Sequence, residues 1–364
     1  MKVGGGRVRV LIVDDSAIAR DMLERGLSRF PDIEVVGKAS DAYSARDRIV
    51  LLAPDVVTLD IEMPGMNGIE FLKRLIPQYP IPVVVVSAVT LEGSRMALDA
   101  LKAGAVDVVA KPGNRERGSI DAMVSDLADA IREAALADAR KLVAIGTVAE
   151  SKATRKSGAT LPDREERADR RLIAIGASTG GTNAIDAIIP RFTETVPGVV
   201  IVQHMPPVFT RLFAESLNRV SALEVREARD GDRVHRGLAL VAPGGLQMTV
   251  HEDERGWYVR CREGEKVSGH CPSVDVLFNS VAETAGARAT GLILTGMGRD
   301  GAEGLLAMRR AGARCFAQDE ETSVVYGMPK EAWDNGAAEK KVPLDVAATV
   351  VMAASSARRA VRSV

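Results

Sequence analysis

The sequence is poor in several features that mark particular classes of protein. Its 364 residues include three cysteines, at 261, 271 and 315, without the paired spacing of a disulfide framework or zinc ribbon. Aromatic residues make up 4%, too few to furnish a base-stacking surface for single-stranded nucleic acid. Lysine and arginine number 48 against 49 acidic residues, so there is no overall basic footprint for DNA. No apolar run approaches the roughly 18 residues of a membrane span, and we expect a cytoplasmic protein that does not insert into membranes.

Hydrophobic residues, in contrast, make up 46% of the chain, and its length predicts two domains. Residues 150–171 interrupt this composition, because they are highly charged and Leu161 is their only large apolar residue. Such a stretch buries too little surface to offset the entropy lost on ordering. We therefore expect a first domain over residues 7–140, a linker over 141–170 and a second domain over 171–355.

Both halves alternate short β-branched runs with amphipathic segments. Examples are VRVLIV (8–13) and PVVVVS (82–87) in the first half, and LIAIG (172–176) and GLILTG (291–296) in the second. Continuous apolar runs predict strands buried on both faces, and hence parallel sheets covered by helices. The expected fold class is α/β, with two doubly wound parallel-sheet domains in tandem. Ligands of such sheets bind beyond the carboxyl ends of the strands.

Polar residues stand at these strand ends throughout the first half. Asp14 and Asp15 follow the first strand, Asp60 ends the third, Ser87 ends the fourth and Lys111 ends the fifth. Taken singly, each aspartate could be an ordinary cap or turn residue, but all five at one edge fit that interpretation poorly. Clustered carboxylates repel one another unless a hard cation such as Mg²⁺ lies between them. An aspartate there could accept a phosphoryl group, with Mg²⁺ and the lysine offsetting its charge.

Four motifs of the first half occur in the order typical of a known family. They are DDS (14–16), LDIEMPGMNG (59–68), VVSA (85–88) and KP (111–112). On these motifs the first half resembles a two-component receiver domain, which has a flavodoxin-like fold. The resemblance implies that Asp60 is the phosphoacceptor. It also implies that Asp15, Asp60 and the main-chain carbonyl of Glu62 bind Mg²⁺ directly, and that Asp14 helps through water.

The same resemblance assigns the signalling switch. It implies that Ser87 and Lys111 contact the phosphoryl group and carry the switch. One position departs from the family pattern, because receivers usually have an aromatic residue where this chain has Val108. A rotating aromatic ring therefore cannot report phosphorylation here, and we expect Ser87 and backbone shifts to do so.

In the second half, the predicted strand LIAIG leads into GASTGG (176–181) and then a helix from about Asn183. Three interpretations of this turn stay open on the residues alone. It could expose backbone N–H groups beside a nucleophilic Ser178, cradle a dinucleotide, or be merely a tight turn. Tyr326 and Lys330 match the Tyr-x-x-x-Lys of dehydrogenases, but Pro329 would break the helix that this pair requires.

A nucleophilic serine needs a base and an acid. His204 directly follows a predicted strand at the same sheet edge, and His270, at a predicted helix start, is its rival. Asp300 lies in a glycine-rich loop after the strand GLILTG, although it could instead cap the next helix. Asp275, predicted to lie within a helix, is the other candidate acid. In the resulting arrangement, Asp300 holds the imidazole of His204 while His204 takes the proton of Ser178.

Six stretches of the second half carry a further resemblance. They are IAIGASTGG (173–181), IVQHMPPVFTRLFAESLN (201–218), VAPGG (241–245), PSVDVLFNSVA (272–282), LTGMGRDGAEG (294–304) and VVYGMP (324–329). On these stretches the second half resembles the catalytic domain of the chemotaxis protein-glutamate methylesterase family, a Rossmann-like domain. The resemblance implies the nucleophile, base and acid Ser178, His204 and Asp300. Thr179 and Met297 would border the oxyanion site, and Cys271 departs from the arginine usual in the family.

The two resemblances together imply a phosphorylation-activated hydrolase of chemotaxis adaptation. Its expected substrates are γ-glutamyl methyl esters, and specific glutamines, on methyl-accepting chemotaxis receptors. Its expected phosphodonor is a chemotaxis histidine kinase, and the esterase site is expected to need no cofactor. We expect a monomer that binds no nucleic acid. A transcriptional regulator and a receiver-fused oxidoreductase are the alternatives, but the second half lacks a compact basic recognition helix.

Overall fold

The computed structural model describes residues 6–88, 90–111, 117–142 and 171–356. The chain divides into two compact units, Met1–Thr147 and Val148–Val364. From residue 143 onward, the predicted linker lies outside the described residues. Across the described ranges, no helix has the length and apolar character that crossing a bilayer requires.

The first unit alternates strands and helices. Its elements are β1 (Val8–Val13), α1 (Ala17–Leu27), β2 (Ile33–Ala39), α2 (Ala42–Leu52), β3 (Val56–Asp60), α3 (Gly68–Gln78), β4 (Val83–Ala88), α4 (Leu91–Lys102), β5 (Asp107–Lys111) and α5 (Arg117–Ala135). The strands form one parallel sheet in the order β2-β1-β3-β4-β5. The central strand β3 is buried at every position, as expected of a sheet covered on both faces. Four helices begin at polar N-caps: Ser16, Asp41, Asn67 and Thr90.

The second unit has a larger set of elements. They are β6 (Leu172–Ala177), α6 (Gly181–Ile188), β7 (Gly198–Gln203), α7 (Phe209–Val220), β8 (Glu224–Glu227), β9 (Arg233–Val234), β10 (Leu238–Val241), β11 (Gln247–Asp253), β12 (Gly256–Arg262), α8 (Val274–Thr284), β13 (Ala289–Ile293), α9 (Ala302–Arg310), β14 (Arg314–Gln318), α10 (Met328–Asp334), β15 (Lys340–Val342) and α11 (Leu344–Ser356). Seven strands form a parallel sheet in the order β15-β14-β13-β6-β7-β10-β8. Strands β6 and β7 are buried along their whole length, and β6 pairs with both β7 and β13. The ends of these three strands are therefore neighbours.

A separate antiparallel sheet of three strands, in the order β11-β12-β9, accompanies this parallel sheet. Burial in β11 alternates along the strand, so the sheet has one covered and one open face. Helix α8 lies against it, since Val250 N–H donates to Ser280 Oγ at 2.9 Å and Thr284 Oγ1 donates to the Val250 carbonyl at 3.1 Å. The expectation of parallel sheets from continuous apolar runs did not include this element.

The predicted α/β class with two parallel sheets is confirmed. One helix boundary differs from prediction. The helix expected from about Asn183 begins two residues earlier, at Gly181. Helix ends depend on local capping contacts, which apolar spacing does not report.

Candidate functional site

Ser178 lies at the turn between β6 and α6, at the carboxyl edge of the parallel sheet. The turn needs glycine, since Gly180 has a φ of 75° and a Cβ on Gly181 would lie 2.1 Å from the Gln203 side chain. Ser178 N–H donates to the Thr295 carbonyl at 3.0 Å, and the Ser178 carbonyl accepts from Gly181 N–H at 2.6 Å. These bonds hold the Ser178 backbone on both sides.

His204 bridges Ser178 and Asp300. It follows β7, and its backbone N–H donates to the Ala177 carbonyl at 3.2 Å. Its Nδ1 lies 2.9 Å from Ser178 Oγ, and its Nε2 lies 2.8 Å from Asp300 Oδ2. An ionised carboxylate only accepts hydrogen bonds, so Nε2 carries the proton and Nδ1 is free to accept the serine proton. The structure thus brings the three predicted residues into one hydrogen-bonded chain.

The Asp300 carboxylate is buried and bound by the start of helix α8. Its Oδ1 accepts from Ser273 Oγ at 2.7 Å and from Asp275 N–H at 3.0 Å, and its Oδ2 accepts from Val274 N–H at 2.7 Å. Burial alone would raise the pKa of Asp300, but hydrogen bonds from His204 and Ser273 outweigh it and lower the pKa. The positive end of the helix macrodipole also favours the carboxylate.

The alternative roles considered for the acidic residues do not match the structure. Asp300 does not cap the helix that follows it, because the residue preceding α9 is Gly301. Asp275 lies in the first turn of α8, where its Oδ1 accepts from Gly304 N–H at 2.7 Å. Burial raises the pKa of Asp275, and the neighbouring Asp300 adds to this rise. Asp275 therefore binds a backbone group, while Asp300 faces the imidazole.

The rival base, His270, lies on the face of His204. The two ring centroids are 3.6 Å apart and the rings are inclined by 11°. Burial lowers the pKa of His270 to about 4, and the nearby His204 contributes to this shift. His270 does not begin a helix, since α8 starts at Val274 after the N-cap Ser273. It is thus a neighbour of the imidazole that contacts Ser178.

The dehydrogenase-like pair does not share a helix. Helix α10 begins at Met328, after Tyr326, and Lys330 pairs with Asp334 at 2.7 Å on that helix. Tyr326 lies instead in an isolated bridge to Gly296. The geometry required of a Tyr-x-x-x-Lys pair is therefore missing, as Pro329 predicted.

The loop after β13 passes directly beside the nucleophile. A Cβ on Gly296 would lie 2.7 Å from Ser178 Cβ, so a side chain does not fit there. Met297 is the next residue of this loop, and Thr179 is buried beside Ser178. Thr295, which was not among the predicted site residues, holds the loops together, because its Oγ1 donates to the Thr179 carbonyl at 3.0 Å and accepts from Val325 N–H at 2.9 Å.

In the first unit, the structure brings together the carboxylates of Asp14, Asp15 and Asp60, with possible ligand atoms within 4.8 Å of one another. Lys111 Nζ lies 2.9 Å from Asp14 Oδ2 and 3.2 Å from Asp60 Oδ2. Asp14 is 1% exposed and Asp60 8%, so one ammonium partly offsets three carboxylates in a largely buried cluster. This oxygen-rich set fits a divalent cation such as Mg²⁺.

The charges of this cluster depend on one another. Burial raises the pKa of Asp60, Asp14 adds to the rise, and Lys111 opposes it. For Lys111, burial disfavours the ammonium, but the carboxylates of Asp60 and Asp14 outweigh burial and raise its pKa. The lysine therefore stays charged beside the carboxylates of Asp60 and Asp14.

Ser87 and Val108 are buried in the neighbouring strands β4 and β5. Ser87 Oγ donates to the Gly93 carbonyl at 3.0 Å, in the first turn of α4. Val108 is buried in β5, where a receiver would usually place its aromatic ring.

Two family models match this chain. The model described as CheB methylesterase matches residues 173–351, and that described as response regulator receiver domain matches residues 10–121. The chain is 51% identical over 353 residues to a protein-glutamate methylesterase/protein-glutamine glutaminase of Syntrophotalea carbinolica, covering 97% of this chain and 99% of that protein. It is 48% identical over 355 residues to protein-glutamate methylesterase/protein-glutamine glutaminase 1 of Caulobacter vibrioides, again covering 97% and 99%.

Solved structures of single domains are also similar. The CheB methylesterase catalytic domain of Thermotoga maritima is 34% identical, with a TM-score of 0.49, and covers 50% of this chain and 97% of that one. The response regulator domain of Thermotoga maritima CheB is 41% identical, with a TM-score of 0.33, and covers 35% of this chain and 96% of that one.

Proposed function

This chain belongs to the protein-glutamate methylesterase/protein-glutamine glutaminase family, and we propose that it hydrolyses γ-glutamyl methyl esters on chemoreceptors during chemotaxis adaptation. The chain is an enzyme of that class with a receiver domain. The observation that carries the proposal is the hydrogen-bonded chain from Ser178 Oγ through the His204 ring to Asp300. It supplies a nucleophile, a base and an acid in contact.

In the proposed acylation step, Ser178 Oγ attacks the γ-carbonyl carbon of the methylated glutamate. Nδ1 of His204 takes the serine proton, and Asp300 stabilises the imidazolium through Nε2–H. The imidazolium then gives its Nδ1 proton to the departing methoxide, so methanol leaves and an acyl-serine remains. Backbone N–H groups near Thr179 and Met297 are the proposed donors to the oxyanion.

In the proposed deacylation step, water attacks the acyl-serine while His204 accepts a water proton and returns it to Ser178. The products are the γ-carboxylic acid of glutamate and free enzyme. A glutamine side chain would follow the same route, with ammonia in place of methanol. Because an amide expels its leaving group with more difficulty than an ester, we expect deamidation to be the slower reaction.

The receiver is proposed to regulate this chemistry. Asp60 is the proposed acceptor of a phosphoryl group from a chemotaxis histidine kinase, with Lys111 and Ser87 contacting the phosphoryl oxygens. Bound Mg²⁺, held by Asp14, Asp15 and Asp60, would offset charge on those oxygens. The proximity of the three carboxylates and Lys111 supports this assignment.

The domain boundaries are part of the same proposal. The receiver would span residues 7–140 and the esterase 171–355, joined by a linker over 141–170. The matched ranges 10–121 and 173–351 support two functional domains. We further propose a cytoplasmic monomer, which would give it access to the cytoplasmic kinase and receptor helices.

The test is methanol release from methyl-labelled receptor membranes by the full chain. Wild type should release methanol and Ser178→Ala should be slower by several orders of magnitude; near-normal release by Ser178→Ala would refute the assignment. A small phosphodonor with Mg²⁺ should raise the wild-type rate but leave Asp60→Asn at its basal rate. Equal stimulation of both proteins, or of neither, would refute the proposed regulation through Asp60.

A further inference from the structure

One short segment, residues 267–275, contacts both the proposed base and the proposed acid. It begins with a tight turn in which Val267 and His270 exchange two backbone hydrogen bonds, each 3.0 Å long. The central residues Ser268 and Gly269 have φ values of 52° and 86°, as in a type I′ hairpin turn. The segment then continues through Ser273 into helix α8. The backbone of His270 is therefore fixed before its ring reaches the site.

His270 restrains the His204 ring across its face, a direction in which the hydrogen bonds of His204 do not hold it. The bonds of His204 to Ser178 and Asp300 lie near the plane of its ring, whereas His270 covers the ring face at a centroid distance of 3.6 Å. Because burial and His204 lower the pKa of His270 to about 4, the covering ring is neutral near neutral pH. It can support the imidazolium without adding a second positive charge.

Ser273 restrains Asp300, the acidic partner of His204. Its side chain is fully buried, and its Oγ donates to Asp300 Oδ1 at 2.7 Å, on the oxygen that does not face His204. Ser273 Oγ also accepts from Val276 N–H at 3.4 Å as the N-cap of α8. The carboxylate is thus fixed against rotation while its second oxygen holds Nε2–H.

The Gln247 side chain holds the segment at both His270 and Ser273. Its Oε1 accepts from Ser273 N–H at 2.8 Å, and its Nε2 donates to the His270 carbonyl at 3.3 Å and to the Glu265 carbonyl at 2.9 Å. Gln247 begins strand β11, so the second, antiparallel sheet supports the segment. This support couples the positions of His270 and Ser273.

We propose that His270 and Ser273 are positioning residues for ester hydrolysis: His270 holds the plane of the catalytic imidazole, and Ser273 holds the carboxylate that orients it. The proposal rests on the proposed function, because it assumes that Ser178, His204 and Asp300 carry the reaction. Neither residue needs to touch the substrate. Their loss should therefore lower kcat while leaving KM nearly unchanged.

The first experiment replaces the stacked ring in the full chain and follows methanol release. His270→Ala should lower kcat about 10- to 100-fold with KM within about twofold, and His270→Phe, which keeps an aromatic face, should recover most of kcat. The matched control is His251→Ala, which removes a histidine stacked on Tyr258 at 5.4 Å in the antiparallel sheet. This control should keep the wild-type kcat.

The second experiment separates two roles of Ser273, its hydrogen bond to Asp300 and its N-cap of helix α8. Glycine is tolerated at an N-cap almost as well as serine, so Ser273→Gly removes the hydroxyl at a small loss of cap stability. Both Ser273→Gly and Ser273→Ala should lower kcat about 10-fold. Asp41→Ala removes the N-cap of α2 in the other unit and should keep the wild-type kcat despite a lower stability.

Ser178→Ala is assayed in parallel, because its activity separates failure of the proposed function from failure of the inference alone. If it keeps activity, the proposed function fails and the inference fails with it. If it abolishes activity while His270→Ala and Ser273→Gly keep the wild-type kcat, the inference alone is overturned. A fall in kcat that His270→Phe does not relieve, or that only matches a smaller folded fraction measured by circular dichroism, also overturns it.

Discussion

Asp300 binds the Nε2 side of His204, at 2.8 Å, and leaves the Nδ1 side to Ser178. In the chymotrypsin arrangement, the acid binds Nδ1 and the serine faces Nε2. The chemistry needs only that opposite ring nitrogens face acid and nucleophile, so the reversed ring performs the same proton transfer. In this chain, all three residues follow parallel strands of one sheet.

Asp300→Asn should invert the tautomer of His204. An asparagine NH₂ can donate to Nε2, which would then move the ring proton to Nδ1 and remove the acceptor for the serine proton. We expect kcat for methanol release to fall by about 10³- to 10⁴-fold with KM little changed.

Asp275→Asn is the matched control for this prediction. Asp275 binds Gly304 N–H, and an asparagine oxygen can accept the same bond. Burial disfavours the charged form of Asp275 and raises its pKa, and the Gly304 contact is kept, so kcat should stay within about threefold of wild type. Equal losses in the two variants would contradict the assignment of Asp300 as the orienting acid.

Gly296 predicts a second way to disable the site without touching the triad. A Cβ at this position would lie 2.7 Å from Ser178 Cβ and 2.4 Å from Met328 Sδ. Gly296→Ala should therefore displace the nucleophile and lower kcat about 100-fold, since a misplacement of about 1 Å can cost that much.

Gly336→Ala is the control for Gly296→Ala, because a Cβ there meets no atom within 4 Å, although its φ is +79°. It carries the backbone strain of a positive φ but lies outside the triad, so it should lose some stability and keep kcat. Active-site titration with a fluorophosphonate would check both variants. Wild-type labelling of Ser178 in Gly296→Ala would contradict the prediction.

Much of the candidate site follows from the rule that ligand-binding residues gather at the carboxyl ends of parallel strands. Ser178, His204 and Asp300 each follow a continuous apolar run, and so does Asp14. These runs are detectable because strands buried on both faces are apolar at every position. The order of strands in a sheet, in contrast, depends on contacts between segments distant in sequence. The apolar runs therefore do not show that the strands preceding Ser178, His204 and Asp300 are neighbours.

The residues that prediction missed bind partners that are distant in sequence. Ser273 binds Asp300, Thr295 binds Thr179 and Val325, and Gln247 binds His270 and Ser273 within the 267–275 segment. A serine followed by an apolar helix signals an N-cap, which could have marked Ser273 as a cap but not as a partner of Asp300. The antiparallel sheet was missed because its strands alternate in burial rather than forming continuous apolar runs.

His270 predicts a pH dependence of stability in the second unit. Its pKa in the folded protein is about 4, against an ordinary value of 6.5, so the fold binds the neutral ring. The unfolded chain takes up a proton as the pH falls through 6.5 while the folded chain does not. This contribution to stability is therefore complete above pH 6.5 and is lost progressively toward pH 4.

The measurement is urea unfolding at pH 7, 6 and 5, followed by tryptophan fluorescence. Both tryptophans of the chain, Trp257 and Trp333, lie in the second unit, so the signal reports that unit. His270→Phe should lose less unfolding free energy between pH 7 and 5 than wild type. Parallel losses in the two proteins would contradict the assignment of a neutral, buried His270.

Lys111 predicts opposite effects on metal binding and on phosphorylation. Its ammonium lies within 3.2 Å of oxygens on both Asp14 and Asp60, the same carboxylates proposed to hold Mg²⁺. Removing the charge in Lys111→Met leaves the carboxylates less neutralised, so Mg²⁺ should bind more tightly, by about 5- to 10-fold. The phosphoryl group, however, loses a cationic partner, so phosphorylation of Asp60 by a small phosphodonor should slow.

Isothermal titration with Mg²⁺ and phosphate incorporation from a labelled phosphodonor measure the two effects in the full chain. Lys73→Met, which removes an exposed lysine of α3, controls for the change in net charge and should alter both quantities by less than about twofold. Tighter Mg²⁺ binding with slower phosphorylation in Lys111→Met would place the ammonium on the phosphoryl side of the reaction. Weaker Mg²⁺ binding would show instead that Lys111 supports the carboxylate geometry, contrary to the prediction.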